Sequence, residues 1–291
     1  MTTPLAPGRG QRPRRHAAKP AVLRTAAFGS GLLIAVTAAA CGSPAGSSTA
    51  PAGKTFSYCS EITTPPAEFY TTARLGRNEL TIVPTGADID IGRAVAKRLG
   101  AAASFSNVPF ADLITSLRAK KCDAIISFMN NTAERRRLVA FVDYLAAGQS
   151  LLLRKGSPPI ADVAGLSGKT VAVLHGTTEE LFLQDANRHL NGRPPINIVS
   201  YPTDNEAIYA LAQGKADAAF DDTPTVAYAA AHNKTLVEGV QLRSPIPIGI
   251  ALRKGDPRIP KVEQAIKAIE ADGTMQAILS RWGLLRFALK P

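Results

Sequence analysis

The chain has 291 residues, of which 45% are hydrophobic, and a formal net charge of +11 at pH 7. This hydrophobic content is ordinary for a globular protein. Six basic residues among the first forty account for six of the eleven charges and leave +5 on the rest. The remaining Lys and Arg residues are scattered, without a basic patch interleaved with aromatics or a zinc-binding spacing, which argues against a nucleic-acid partner.

The first forty residues predict a signal peptide for export. They contain six basic residues and no acidic one, and they end in an apolar run over residues 26–40. A basic segment, a short apolar segment and small residues are typical of a secretory signal, and the run is short for a membrane-spanning helix. Arg14 and Arg15 also leave twin-arginine export open.

Cys41 follows the small residues directly, as in a lipoprotein signal, where the thiol is lipidated and becomes the new N-terminus. Ala38 departs from the Leu that is usual in that motif, so simple cleavage and another use of the thiol stay open. Residues 42–53 contain only Gly, Ser, Pro, Ala and Thr, too little apolar surface to fold, which predicts a flexible tether from Cys41 to residue 53. We expect the protein at the outer face of the cytoplasmic membrane.

The remaining residues, about 240 of them, alternate strand-like and helical patterns, which predicts an α/β fold with largely parallel sheets. Ile91, Val95 and Leu99 recur at the spacing of one buried helix face. A second helix is predicted over residues 178–190, with Leu181 among its inward residues, and a third is predicted to be capped by Asp204. Residues 145–153 and 245–252 are predicted to run extended.

The segment of residues 127–135 follows a buried strand predicted over residues 123–127 and leads into a helix. Thr132 is the predicted N-cap, because its hydroxyl can accept from a first-turn amide. Helix N-termini favour anions, and the fork of Arg135 matches a carboxylate. The alternative is an ordinary turn whose arginine lies in solvent.

Seven short segments resemble, in order, the motifs of the family 3 extracellular solute-binding proteins, the amino-acid receptors of bacterial ABC importers. Each motif is weak alone, and their order over residues 55–284 carries the resemblance. They are residues 86–100 (GADIDIGRAVAKRLG), 121–125 (KCDAI), 129–135 (MNNTAER), 176–178 (GTT), 217–224 (DAAFDDTP), 248–256 (IGIALRKGD) and 271–274 (ADGT).

The resemblance implies a two-lobed periplasmic-binding-protein fold of type II. Each lobe is expected to be a mostly parallel sheet flanked by helices, and two extended hinge strands join the lobes, so that the cleft can close over a ligand. The expected boundaries are 54–145 for the first part of lobe 1, 146–249 for the hinge and lobe 2, and 250–291 for the return to lobe 1. The implied protein is a monomeric binding protein without enzymatic activity or cofactor, and its partners are a small polar solute and the permease and ATPase of an ABC importer.

The resemblance also implies a ligand site for a zwitterionic amino acid. Arg135 stands at the position where the family binds the ligand carboxylate. Asn130 and Thr178 stand at positions that contact the same carboxylate, one from each lobe. Asp222 stands at the acid that receives the α-ammonium. The structural alternatives are a solvated Arg135, a turn Asn130, and capping roles for Thr178 and Asp222.

Three aromatic residues that usually enclose the ligand side chain are replaced, by Thr64, Ala67 and Ala87. Phe128 lies where a small residue is common and can partly refill the space. An apolar amino acid is therefore the least expected ligand, since few groups remain to pack against it.

Glu61, at a position often acidic in the family, would make the cleft acid-rich together with Asp221 and Asp222. Such a cleft favours a cationic or polyhydroxylated amine. The alternative is that Glu61 and Asp221 point to solvent, as most carboxylates do. His175 lies beside the Gly-Thr-Thr motif and could face the pocket.

Cys59 and Cys122 lie on predicted strands of one lobe, in an exported protein, where disulfides persist. We expect a disulfide between them, and two buried free thiols are the alternative. Two other functions stay open: a dehydratase-like enzyme on the same fold, acting on prephenate- or arogenate-like substrates, and a ligand sensor that is not coupled to transport.

Overall fold

Two long antiparallel strands run through the middle of an eight-stranded sheet in the computed structural model, which describes residues 53–74 and 80–289. The strand order in this sheet is β4-β1-β5-β10-β6-β9-β7-β8, and β2 and β3 form a separate antiparallel pair. The strands are β1 Thr55–Ser60, β2 Phe69–Arg74, β3 Leu80–Thr85, β4 Ala102–Asn107, β5 Ala124–Ile125, β6 Val139–Arg154, β7 Thr170–Leu174, β8 Asn197–Tyr201, β9 Ala218–Asp222 and β10 Leu236–Arg253.

Helices cover both faces of the large sheet. Their bounds are α1 Ala87–Arg98, α2 Leu113–Arg118, α3 Ala133–Leu138, α4 Thr178–Asn187, α5 Asp204–Ala212, α6 Thr223–His232, α7 Ile259–Ala271 and α8 Thr274–Arg281. Thr132 accepts a hydrogen bond from the backbone N–H of Arg135, which confirms it as the N-cap of α3.

The long strands β6 and β10 connect two groups of parallel strands. On one side β1 pairs in parallel with β4 and β5, and on the other β7 pairs in parallel with β8 and β9. The C-terminal end of β10 pairs with β5, whereas residues 149–153 of β6 pair with β9. We call the β4-β1-β5 side the first lobe and the β9-β7-β8 side the second lobe. The two extended segments predicted to cross between the lobes are therefore confirmed as parts of β6 and β10.

Each lobe has its own apolar core, as parallel strands covered by helices on both faces require. In the first lobe α1 packs with α7 and α8 over the sheet, and Ile91 and Val95 are fully buried, as the periodicity predicts. Leu183 and Phe220 lie in the core of the second lobe. The described residues belong to one compact unit.

Cys59 and Cys122 form a disulfide, with their Cα atoms 5.7 Å apart. Cys59 is in β1, and Cys122 lies two residues before β5, the neighbouring strand. Both sulfurs lie in a small core with Leu113 and Leu117 of α2.

Two predictions about the second lobe are wrong, and both concern the cleft. Leu181 is 59% exposed, and Leu183 is buried instead. The first turn of α4 turns its polar residues Thr178, Glu179 and Glu180 inward, which rotates Leu181 to the outside. Asp204 does not cap α5 either: Thr203 accepts from the backbone N–H of Glu206, and Asp204 is a buried residue of the helix itself.

The predicted signal peptide, Cys41 and the tether up to residue 52 lie outside the described residues. Within the ranges that are described, no helix combines the length and apolar character needed to span a bilayer.

Candidate functional site

A small cavity of about 20 Å³ lies between the two lobes at the carboxyl ends of their strands, where ligands of open α/β sheets bind. The first lobe contributes the side chains that follow β1, β4 and β5, namely Thr64, Phe110, Ser127, Phe128 and Asn130. The second lobe contributes Leu174 at the end of β7, Thr177 and Glu179 at the start of α4, Asp204 at the start of α5, and Asp221 and Asp222 at the end of β9.

Arg135 reaches from the first lobe to the second. Its Nη1 donates to the backbone carbonyl of Asn130 at 3.1 Å and its Nη2 donates to that of Gly176 at 3.3 Å. The guanidinium carbon lies 5.2 Å from the centre of the Phe110 ring, a cation–π distance. Desolvation between the lobes lowers the pKa of Arg135 from its ordinary value. Arg135 therefore connects the two lobes and is not a solvated arginine.

Asn130 and Thr178 meet across the cleft. The Thr178 hydroxyl lies 2.7 Å from Asn130 Oδ1, and Asn130 Nδ2 lies 3.4 Å from Asp222 Oδ1. Thr177, not Thr178, caps α4, by accepting from the backbone N–H of Glu180. The Thr178 hydroxyl therefore lies in the cleft and not at the helix cap, and Gln149 of β6 donates a hydrogen bond to it at 2.6 Å.

Asp222 occupies the N-cap position of α6 but makes no capping hydrogen bond with its side chain. Asp222 is 6% exposed. Its backbone N–H donates a hydrogen bond to the side-chain carboxylate of the preceding residue, Asp221, at 2.6 Å. Burial, followed by neighbouring carboxylates, raises the pKa of both aspartates well above the ordinary range.

The hydroxyl of Thr64 connects two carboxylates, that of Glu61 and that of Asp204. Thr64 and Glu61 belong to the first lobe, and Asp204 belongs to the second. The Thr64 hydroxyl lies 2.9 Å from Glu61 Oε2 and also contacts Asp204 Oδ2 across the cleft. Both carboxylates are about 2% exposed, so Glu61 does not point to solvent. Burial raises the pKa of Glu61, and burial with the Glu61 charge raises the pKa of Asp204 to about 7.

Phe128 lines the cavity and is held there by its own backbone. Its φ is +38°, an uncommon conformation for a residue with a side chain. Its N–H donates to Asp88 Oδ2 at 2.8 Å, and Asp88 is fully buried behind it, where burial raises its pKa to about 6. Asp88 lies in the first turn of α1, and Gly86 is the residue just before this helix. A Cβ on Gly86 would lie 2.1 Å from the Ala67 carbonyl oxygen, so a glycine is needed for α1 to begin at this point.

His175 is not part of the cavity. Its side chain is 63% exposed, and its Nδ1 lies 3.2 Å from Glu180 Oε2. Glu180 in turn accepts from the backbone N–H of Gly176 and from Ser200. His175 therefore belongs to a surface cluster behind the Gly176 turn.

Three polar residues and one aromatic are among the site residues that the sequence prediction missed. Glu179 directly follows Thr178 in sequence and could have been found from that position. Asp204 was assigned a capping role, and Gln149 was placed only on an extended segment. Phe110, which also lines the cavity, belongs to none of the motifs that indicated the site. None of the described residues forms a His, Cys, Asp or Glu cluster arranged to hold a metal ion.

The sequence pattern of the bacterial extracellular solute-binding proteins, family 3, matches residues 57–284. The chain is a member of this family. Among its relatives is ABC transporter arginine-binding protein 1 of Escherichia coli strain K12, 32% identical over 203 residues, which are 68% of this chain and 81% of that protein. The histidine-binding periplasmic protein of Salmonella typhimurium is 34% identical over 209 residues, covering 68% and 78%.

The fold of this solute-binding protein is also that of solved structures. A crystal structure of a mutant of ArgBP from T. maritima has a TM-score of 0.70 and 31% identity, covering 79% of this chain and 95% of that one. The α/β architecture is therefore that of the type II periplasmic amino-acid-binding proteins, with the ligand cleft between the lobes.

Proposed function

We propose that this solute-binding protein captures a small cationic amino acid or amine in the interlobe cleft and delivers it to an ABC importer. The observation that carries the proposal is a group of largely buried carboxylates, four of which line the cavity while Glu61 lies beside it. In the described part of the chain, Glu61, Glu179, Asp204, Asp221 and Asp222 form no salt bridge with a basic residue. Carboxylates in such a place are costly unless a cation pairs with them.

The two hydrogen-bonded groups of the cleft suit two parts of one ligand. Asp222 with Asn130 is placed to receive an ammonium, as the family resemblance implies. Glu61 and Asp204, joined by Thr64, are placed to receive a second cationic group. Charge-assisted hydrogen bonds of this kind contribute about 1.5–3 kcal/mol each.

Two aromatic rings support a cationic ligand as well. Of the residues at the usual aromatic positions, Thr64 lines the cavity, whereas Ala67 and Ala87 are fully buried in the first-lobe core. Phe110 and Phe128 supply aromatic rings to the cavity from the first lobe instead. An ammonium or guanidinium over such a ring gains a cation–π contribution of about 0.5–2 kcal/mol. The relatives named above are arginine- and histidine-binding proteins, which supports the same chemical class.

We also propose that the chain is exported, lipidated at Cys41 and monomeric, and that it releases its solute unchanged to a permease. These proposals rest on the leader sequence and on the family. Mass spectrometry of the membrane fraction tests the lipid on Cys41. Mass spectrometry of the solute after incubation tests for turnover, and a neighbouring permease gene separates a transport receptor from a sensor.

A thermal-shift panel of cationic, neutral and acidic amino acids and of amines tests the binding function. A ligand at one hundred times its Kd stabilises a protein by about 2.7 kcal/mol, which gives a clear shift. We expect shifts from cationic ligands only, and loss of the shift in Asp222→Asn. A neutral or acidic ligand that shifts the wild-type protein more than any cation contradicts the proposal.

A further inference from the structure

Gln149 lies at the centre of a row of side chains that crosses three neighbouring strands. In the register of the sheet it is paired with Arg243 of β10 on one side and with Asp222 of β9 on the other. Residues paired in this way project from the same face of a sheet, so the three side chains lie side by side. The β6–β10 ladder is irregular on both sides of Arg243, before it at Gln241 and after it at Ile246. Such irregularities re-aim side chains, and Arg243 is the residue that stands opposite Gln149.

The hydrogen bonds of this row can run in one direction only. Arg243 Nη1 donates to Gln149 Oε1 at 2.7 Å, and a guanidinium has donors but no acceptor. The oxygen of the Gln149 amide must therefore face Arg243, and its NH2 group must face the cleft. Gln149 is fully buried, where an unpaired amide is costly, so this orientation is fixed.

The NH2 group of Gln149 continues the row across the cleft. It donates to the Thr178 hydroxyl at 2.6 Å and to Asn130 Oδ1 at 3.3 Å. The nearer of the two acceptors for the Thr178 hydroxyl hydrogen is Asn130 Oδ1 at 2.7 Å, and the other is Glu179 at 3.1 Å. The oxygen of Asn130 thus accepts twice, which leaves its NH2 group to donate to Asp222 Oδ1 at 3.4 Å.

The direction of this row decides what Asp222 can bind. A carboxylate that receives a donor from Asn130 stays an acceptor, which is what an ammonium needs. If the amides of Gln149 and Asn130 were turned around, the Asn130 oxygen would face Asp222, and two oxygens in contact need a proton between them. A protonated Asp222 has lost the charge that pairs with a cation.

We propose that Arg243 is a positioning residue for cation binding, which acts through Gln149 to keep hydrogen-bond donors directed at Asp222. This inference rests on the proposed function and adds to it a residue that does not line the cavity. The charge of Arg243 by itself has the opposite effect, because a positive charge near a cation site weakens binding. The two effects therefore differ in sign and can be told apart by experiment.

Arg243→Met tests the role, because it keeps the aliphatic stem near the Phe182 ring and removes both the donor and the charge. Titration calorimetry with L-arginine, L-lysine and putrescine gives the Kd of each for the wild-type and variant proteins. We expect the tightest of the three to bind at least about tenfold more weakly to Arg243→Met, the scale of one lost partner of a buried polar group. Loss of the charge alone would tighten binding instead. Arg243→Lys keeps a group that can only donate and should retain most of the affinity.

The matched control is Arg93→Met in the first lobe. Arg93 also lies over a phenylalanine ring, that of Phe105, and its hydrogen bond and ion pair are to Pro84 and Asp90. The substitution removes the same charge and the same ring contact without touching the row of Gln149. It should leave the Kd unchanged.

Gln149→Met tests the route by which Arg243 acts. It should weaken binding by a similar factor, and adding Arg243→Met should weaken it no further, since residues that act through one network are not additive. A full further loss in the double variant overturns the inference, as does unchanged or tighter binding by a folded Arg243→Met protein. If a methionine variant does not fold, Arg243→Gln, which can donate or accept, should bind more weakly than Arg243→Lys, and equal affinities of these two overturn the inference. No binding of any of the three ligands by the wild-type protein removes the proposed function as well.

Discussion

Asp204→Asn should stabilise the ligand-free protein while it abolishes tight ligand binding. Asp204 is 2% exposed and contacts Thr64 across the cleft, and burial together with the Glu61 charge raises its pKa to about 7. Asparagine is close to the protonated aspartic acid in shape and can still accept the hydrogen bond of Thr64. The substitution therefore removes the charge without opening a cavity.

The size of the effect follows from the pKa. The ordinary pKa of an aspartate is 3.8, and a tenfold change in proton affinity corresponds to about 1.4 kcal/mol. Keeping Asp204 ionised at pH 8 therefore lowers the free energy of unfolding by about 4 kcal/mol. Because the folded-state pKa of this acid is raised, the protonated form is the stable one, and stability falls as the pH rises from about 4 to about 7.

Thermal unfolding of ligand-free wild-type and Asp204→Asn protein between pH 4 and pH 8 measures this difference. The melting temperatures should coincide near pH 4 and separate by about 10 °C at pH 8, with the variant higher. The control Glu206→Gln removes an exposed carboxylate and should follow the wild type. A variant that melts at or below the wild-type temperature at pH 8, or one that is equally stabilised at both pH values, would refute the assignment of a buried, unpaired Asp204.

Three further substitutions test other parts of the structure. Asp222→Asn should weaken binding of the best cationic ligand at least tenfold in calorimetry while the fold persists; unchanged affinity would remove Asp222 from the site. Replacing Cys59 and Cys122 together by serine should lower the free energy of unfolding by about 4 kcal/mol, because the bond spans a sequence separation of 63, and an equal denaturation midpoint in urea would contradict this. Gly86→Ala should cost more than about 1 kcal/mol, since φ there is +125° and a Cβ would strike the Ala67 carbonyl oxygen; a neutral effect in urea would show that this turn can rearrange.

Local patterns predicted the elements that are governed by local physics. The N-cap of α3 at Thr132 and the buried stripe of Ile91 and Val95 on α1 depend on neighbours in sequence, and both are confirmed. The pair of β2 and β3 was missed, because none of its residues is buried and the pair therefore shows no buried face.

The cleft could be predicted only in part, because its contacts join segments far apart in the chain. Thr64 and Asp204 are 140 residues apart, so sequence alone could not show that Asp204 faces the cavity instead of capping α5. Leu181 was placed inward because apolar residues normally face a core. The first turn of α4 reverses this rule, since its inward side faces a polar cleft and carries Glu179.

A crystal structure of the protein with its tightest cationic ligand tests the central claim most directly. We expect the ligand between the two lobes, with one cationic group within hydrogen-bonding distance of Asp222 and another within that distance of Glu61 or Asp204. A ligand found elsewhere, for example in the groove between β6 and the helices α7 and α8, or one that lies in the cleft with its cationic groups away from these carboxylates, would contradict it.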